Sequence, residues 1–203
     1  MSLFSTGLKS GATAGDVAPP GRPYVRQVAD YRRTIEMWGG VFGKDALDVR
    51  LFERDAMKDG DLLTDFCAAL GVTMDGFSIP SAQNKSLGGF TLALLRQINL
   101  QLAKRKEPRA DRLRRRLIRT LGENMDASDR FLGTEKRRDS YHRFYAESNE
   151  WVRRNWFPHR AELFSRTAAR SNDTPAFDTR GLDERMLAQL ASVLIELGRT
   201  ADK

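Results

Sequence analysis

Cysteine and histidine are nearly absent from this chain of 203 residues. Cys67 is the sole cysteine, so no disulfide can form within the chain. It lies in an apolar helical pattern, Leu62 to Leu70, with no basic residue within a turn that would favour a thiolate, and a buried, inert thiol is expected. His142 and His159 are the two histidines, set far apart with no cysteine nearby and no HxxxH spacing, which removes any metal-site signature. Long apolar runs are missing as well. None approaches the ~20 residues that a membrane-crossing helix needs. The first 21 residues carry one lysine and no uninterrupted apolar stretch, unlike a secretory signal, so a cytoplasmic location is the default expectation.

What is present fits a globular chain: hydrophobic residues make up 40% and charged residues 30%, enough for one domain with a real core. Residues 1–29 hold three of the seven prolines, with glycine, alanine and no apolar periodicity, and are expected to be irregular or disordered. From there the pattern changes. Tyr31, Ile35, Trp38 and Phe42 recur at helical spacing, Asp30 is placed to cap the first turn, and Gly43 can end the helix with a positive φ. Leu47 to Phe52 is short, partly alternating and bounded by Gly43 and by Glu53-Arg54-Asp55, which predicts one strand. No convincing partner strand follows elsewhere. A lone strand leaves two rows of backbone donors and acceptors unpaired, so its partners are expected in other sequence or another chain, and self-association is plausible.

Leu62, Leu63, Phe66, Cys67 and Leu70 predict a second amphipathic helix, started by Asp59-Gly60-Asp61 and closed at Gly71. Strand followed by helix is the order of an α/β unit. After a loop containing Pro80, Leu87, Phe90, Leu94 and Ile98 share one face of a buried helix that runs to about Lys104. Leu113, Leu117 and Leu121 fit a basic helix after Pro108. Tyr141 to Trp156 reads as one helical stretch before Pro158, and Leu182 to Leu197 as a terminal helix.

Trp38-Gly39-Gly40-Val41-Phe42-Gly43, then Val49 to Arg54, then Gly60 to Phe66 with Leu70-Gly71, resembles the later half of bacterial sulfotransferase-like P-loop proteins. In that family a helix ending in WxxxFG leads to a strand closed by an acidic residue, here Glu53, and then to a helix whose DF and LG pack on the sheet. The resemblance continues through Asn84 to Leu87, Arg96 and Asn99, and through Phe144-Tyr145, Ser148-Asn149 and Leu163-Phe164, so it covers residues 31–164. It divides the chain into residues 1–29, a sulfotransferase-like C-terminal region over 30–170, and a linker with a terminal helix over 171–203. The fold class expected is mainly α with a single short strand, resembling the C-terminal half of an α/β P-loop sulfotransferase fold. The activity implied is transfer of sulfate from an adenosine phosphosulfate donor to a hydroxyl.

The family's phosphate-binding loop does not occur. No GxxxxGK[ST] sequence is present, and nothing in residues 1–40 offers a strand, a glycine-rich turn and a helix in that order. The chain by itself is therefore expected to be a partial or inactive form, completed by a partner chain that supplies the missing sheet and phosphate loop. Four residues are candidates for donor binding: Asn84, Lys85, Ser86 and Arg96. Asn84-Lys85-Ser86 sets a cation, a hydroxyl and free backbone N–H groups before a helix N-terminus, where an anion is favoured. The same residues could simply cap that helix. Glu53, at the strand's C-terminal end, stands where α/β folds place ligands, or else anchors the turn that follows. No catalytic residue is assigned.

Charge supplies the competing reading. Residues 104–119 hold nine Lys and Arg against Glu107 and Asp111, an excess equal to the whole chain's net charge of +7. Such a helix could bind nucleic acid or another polyanion, or be a solvated basic face. No zinc-finger spacing or aromatic RNA-binding motif accompanies it.

Overall fold

The computed structural model describes residues 2–78, 87–125, 130–131, 133–164, 173–174 and 181–200. The chain is mainly helical. Among the described residues no helix is long and apolar enough to cross a membrane. Two compact units interleave along the sequence: unit 1 is Met1–Val25, Asn84–Phe144 and Arg166–Lys203, and unit 2 is Arg26–Gln83 and Tyr145–Ser165.

Unit 1 is built around α5 (Gly89–Lys104), which is buried almost all round. One face, Phe90, Leu94, Ile98 and Leu102, packs with Leu113, Leu117 and Leu121 of α6 (Ala110–Asn124) and Leu187, Ala191 and Ile195 of α9 (Glu184–Thr200). The other face turns Leu92 and Leu95 toward Phe4 and Leu8 of α1 (Ser2–Lys9) and toward Phe131. Ile98, Ile195, Leu8 and Leu95 are all 0% exposed. A helix buried on two faces shows little amphipathic asymmetry, which is why α5 reads as a run of apolar residues rather than a stripe.

Residues 1–29, expected to be irregular, contain α1 and α2 (Pro23–Ala29). The correction has a physical cause. Phe4 and Leu8 lie four apart, on one face of a helix of about two turns, and α5 buries them; tertiary burial overrides weak local propensity. The predicted stretch Tyr141 to Trp156 is also divided, into α7 (Glu135–Phe144) and α8 (Ala146–Trp156), with Tyr145 buried at the break. The paired strands are β1 (Arg130–Phe131) and β2 (Asp173–Thr174), two residues each and parallel.

Unit 2 holds α3 (Tyr31–Phe42), α4 (Leu62–Ala69) and α8, with Leu51, Val152 and Leu163 at its core and Ile35, Trp151 and Trp156 packed against them. Asp30 caps α3 as expected, accepting from the Arg33 backbone N–H at 3.4 Å, and its carboxylate also accepts from the Ser148 hydroxyl at 2.9 Å. Asp61 caps α4 by accepting from Thr64 at 2.9 Å. Leu47 to Phe52, predicted as a strand, is not paired into any sheet among the described residues.

Candidate functional site

Leu47 (φ −100°, ψ 125°) and Glu53 (φ −123°, ψ 134°) bracket an extended segment. Leu47, Val49, Leu51 and Glu53 are wholly or partly buried, whereas Asp48, Arg50 and Phe52 are exposed. That is the period-two alternation of a strand. Leu51 packs in the core with Val152 of α8 and Ile35 of α3, and Leu47 lies over Gly39 of α3. Yet none of residues 48–52 makes a backbone–backbone hydrogen bond among the described residues. A segment with strand alternation and no ladder has both edges open.

The opposite face is held by α4. Arg50 grips Asp65 through both guanidinium arms, Nε to Oδ2 at 2.8 Å and Nη2 to Oδ1 at 2.5 Å, and the Lys58 backbone N–H donates to the same carboxylate at 2.8 Å. The turn that permits this runs through Asp59 and Gly60, both at positive φ, which reverses the chain so that α4 comes back toward the segment. Asp65 is 5% exposed, and a charge so enclosed requires partners. The Arg50 hydrogen bonds, with that from Lys58, hold the Asp65 carboxyl down at about 2 against the opposing effect of desolvation. Helices α3 and α8 thus cover one face of the segment, while the other face is tied to α4 through Arg50 and leaves Phe52 76% exposed.

Beside it lies an open, mostly apolar cleft of about 200 Å³, lined in part by Tyr31, Ile35, Val49, Leu51, Phe157 and Phe164. Trp38, Val41 and Phe42 of α3, Phe52, Leu62 and Phe66 of α4, and Leu70 just past its end are exposed. Such a concentration of exposed apolar side chains marks surface suited to further burial.

Glu53 takes the anchoring role. Its Oε2 accepts from Arg160 Nη2 at 2.7 Å, and the Arg160 carbonyl accepts from Arg153 Nη1 at 2.9 Å. Arg153 in turn makes a two-armed pair with Glu150, 2.7 and 2.9 Å, and Arg154 adds a third contact at 2.6 Å. Hydrogen bonds from Arg153 and then Arg154 lower the Glu150 carboxyl to about 2. The chain of contacts fastens the end of the extended segment to α8.

Of the four expected donor-binding residues, Asn84, Lys85 and Ser86 lie outside the described residues. Arg96 belongs to α5 in unit 1, where its Nε donates to the Thr13 carbonyl at 3.0 Å and Nη1 stands 3.6 Å from Glu184. Its guanidinium is engaged in holding residues 13–15 and α9. His142 and His159 are exposed, and no group of metal-ligating side chains occurs among the described residues. Cys67 is half-buried with its Sγ 3.2 Å from Met74 Sδ. Arg50 and Asp65 were not singled out by sequence reasoning. The readable signal was a carboxylate on the buried side of an otherwise apolar helix.

No family model, curated protein or solved structure matches this chain.

Proposed function

We propose that residues 30–170 are the C-terminal part of a sulfotransferase-like α/β domain, which transfers sulfate from an adenosine phosphosulfate donor to a hydroxyl once other polypeptide supplies the phosphate-binding loop and neighbouring strands. One observation carries the reading: residues 47–53 alternate like a strand and pack one face on α3 and α8, and residues 48–52 make no backbone–backbone hydrogen bond among the described residues. The strand-to-helix order across Glu53 and Asp65, and the exposed apolar residues of α3 and α4, support the same arrangement.

In this reading the chain contributes framework and one cation rather than the whole catalytic centre. Arg50, paired with Asp65, and Glu53, paired with Arg160, anchor the segment. Lys85 is the residue assigned to the donor's phosphate. Transfer breaks the bond between sulfur and the donor's bridging oxygen and forms one to the acceptor oxygen, with stabilisation of the developing charge and alignment of the reactants as the main sources of rate.

The test is a calorimetric titration of the purified chain with adenosine 3′,5′-bisphosphate, in parallel with Lys85→Ala. Saturable binding that weakens at least tenfold in the variant is the expected result. An absence of heat from a chain whose helical spectrum and cooperative melting are intact overturns the assignment of donor-site residues to this chain.

A further inference from the structure

The basic segment 104–119 is sorted by the fold into two sets. Arg105 pairs with Glu196 at 2.6 Å, Arg114 binds Asp111 at 2.6 Å and Asn99 at 2.9 Å, and Arg116 donates to the Gly198 carbonyl at 2.8 Å. These three tie α6 and the end of α5 to their neighbours. Lys104, Lys106, Arg109, Arg115 and Arg119 are exposed and enter no ion pair or side-chain hydrogen bond among the described residues. Arg112, Arg115 and Arg119 recur at i, i+3 and i+7, on the side of α6 opposite the buried Leu113, Leu117 and Leu121.

From this we propose that the outward face of α6, with the turn joining it to α5, binds the phosphate backbone of a nucleic-acid duplex. The excess of positive charge in residues 104–119 equals that of the entire chain, so the remaining residues sum to no net charge and the field is concentrated on this one helix and turn. From Arg109 to Arg119 the helix rises about 15 Å, long enough to meet successive phosphates along a strand. Arginine predominates, and its planar fork matches phosphate oxygens two at a time. Lys106 adds a second observation. It stands at φ 49° just past the end of α5, where its N–H and that of Glu107 close the helix onto the Ala103 and Leu102 carbonyls. Glycine is the usual occupant of that left-handed position, and here a long cation holds it instead.

Other polyanions fit the face less well. An anionic membrane would be gripped by an amphipathic helix burying its apolar side, but that side of α6 is already in the core. Single strands are bound largely by stacking on aromatic rings, and neither α6 nor the preceding turn carries one. The contact so built reads no base edge, so binding is independent of sequence.

The test is fluorescence anisotropy with a labelled 20-base-pair DNA duplex of arbitrary sequence, using the full chain. Five phosphate contacts predict an affinity that falls about 20-fold when salt is raised from 50 to 100 mM. The variant Arg109→Gln/Arg115→Gln/Arg119→Gln, all on exposed positions, should retain its helical spectrum and reduce that fall to about 3-fold. A control of equal charge change, Lys136→Gln/Arg143→Gln/Arg185→Gln, should keep the 20-fold dependence. No duplex binding at 50 mM salt overturns the proposal, as does an equal loss in the control. Binding confined to heparin, or to vesicles containing phosphatidylserine, overturns it too.

Discussion

Arg114 donates its Nε–H to the Asn99 side-chain carbonyl at 2.9 Å, while the amide nitrogen of the same Asn99 donates to the Leu8 and Ala12 carbonyls at 2.8 Å each. One buried amide, 2% exposed, thus joins α6 to the end of α1 across α5. Every polar atom of its side-chain amide that faces the interior is satisfied, which makes the group favourable in the core despite its desolvation.

Replacing Asn99 with Ala removes a hydrogen bond from each of two carbonyls and from a guanidinium nitrogen at once. We expect unit 1 to lose about 2–4 kcal/mol, with the damage centred on the N-terminal helix. Amide hydrogen exchange over residues 2–12 is the appropriate measure, because all three tryptophans, Trp38, Trp151 and Trp156, belong to unit 2 and report nothing on α1. Unchanged protection of these amides would remove the bridging role from Asn99.

Acid should destabilise unit 2. The folded-state carboxyls of Asp65 and Glu150 are both lowered to about 2, below the ordinary values of about 3.9 and 4.3. A group depressed in the folded state stabilises it fully above its unfolded value and ceases to do so as pH falls through the folded value. Stability of unit 2 is therefore expected to be level above about pH 5 and to decline between pH 5 and pH 2. Tryptophan fluorescence during chemical denaturation at stepped pH follows it. Asp65→Asn should lower the midpoint at pH 7 and flatten this decline; a variant with the parental pH profile would contradict the pairing.

Arg96 provides a separate check on the site. Because its guanidinium serves the Thr13 carbonyl and Glu184, Arg96→Ala is expected to loosen residues 13–15 without weakening adenosine 3′,5′-bisphosphate binding. Parallel titrations with Lys85→Ala separate the two residues. An equal loss in both variants would return Arg96 to the donor site.

The sequence made some of this architecture legible and concealed the rest for definite reasons. The caps at Asp30 and Asp61 and the extent of α5 follow from local chemistry and periodicity, and all three are present in the structure. The helix α1 was hidden because Phe4 and Leu8 alone carry its periodicity among small and polar residues, and only burial against α5 stabilises it. The break at Tyr145 was hidden because its side chain continues the apolar spacing of the helices on both sides. Two-residue strands such as β1 and β2 leave no pattern to read.

The extended segment was legible as a strand by its alternation. What one sequence does not display is the pairing of distant residues. The grip of Arg50 on Asp65 joins positions fifteen apart through a turn at Asp59 and Gly60, and it is this contact that ties the segment's exposed face to α4. Charge was legible as a total, whereas its division into arginines that tie helices together and cations on the outward face depends on which carbonyls and carboxylates the fold brings near.

Hydrogen exchange at residues 48–52 tests the central claim most directly. In the purified monomeric chain, these amides are expected to exchange within seconds, at the rate of unpaired backbone, while amides in the middle of α3 and α8 on one side and α4 on the other remain protected. Strong protection of residues 48–52 in the monomer would show that the segment is already paired within the chain, and would contradict an arrangement in which other polypeptide completes the sheet.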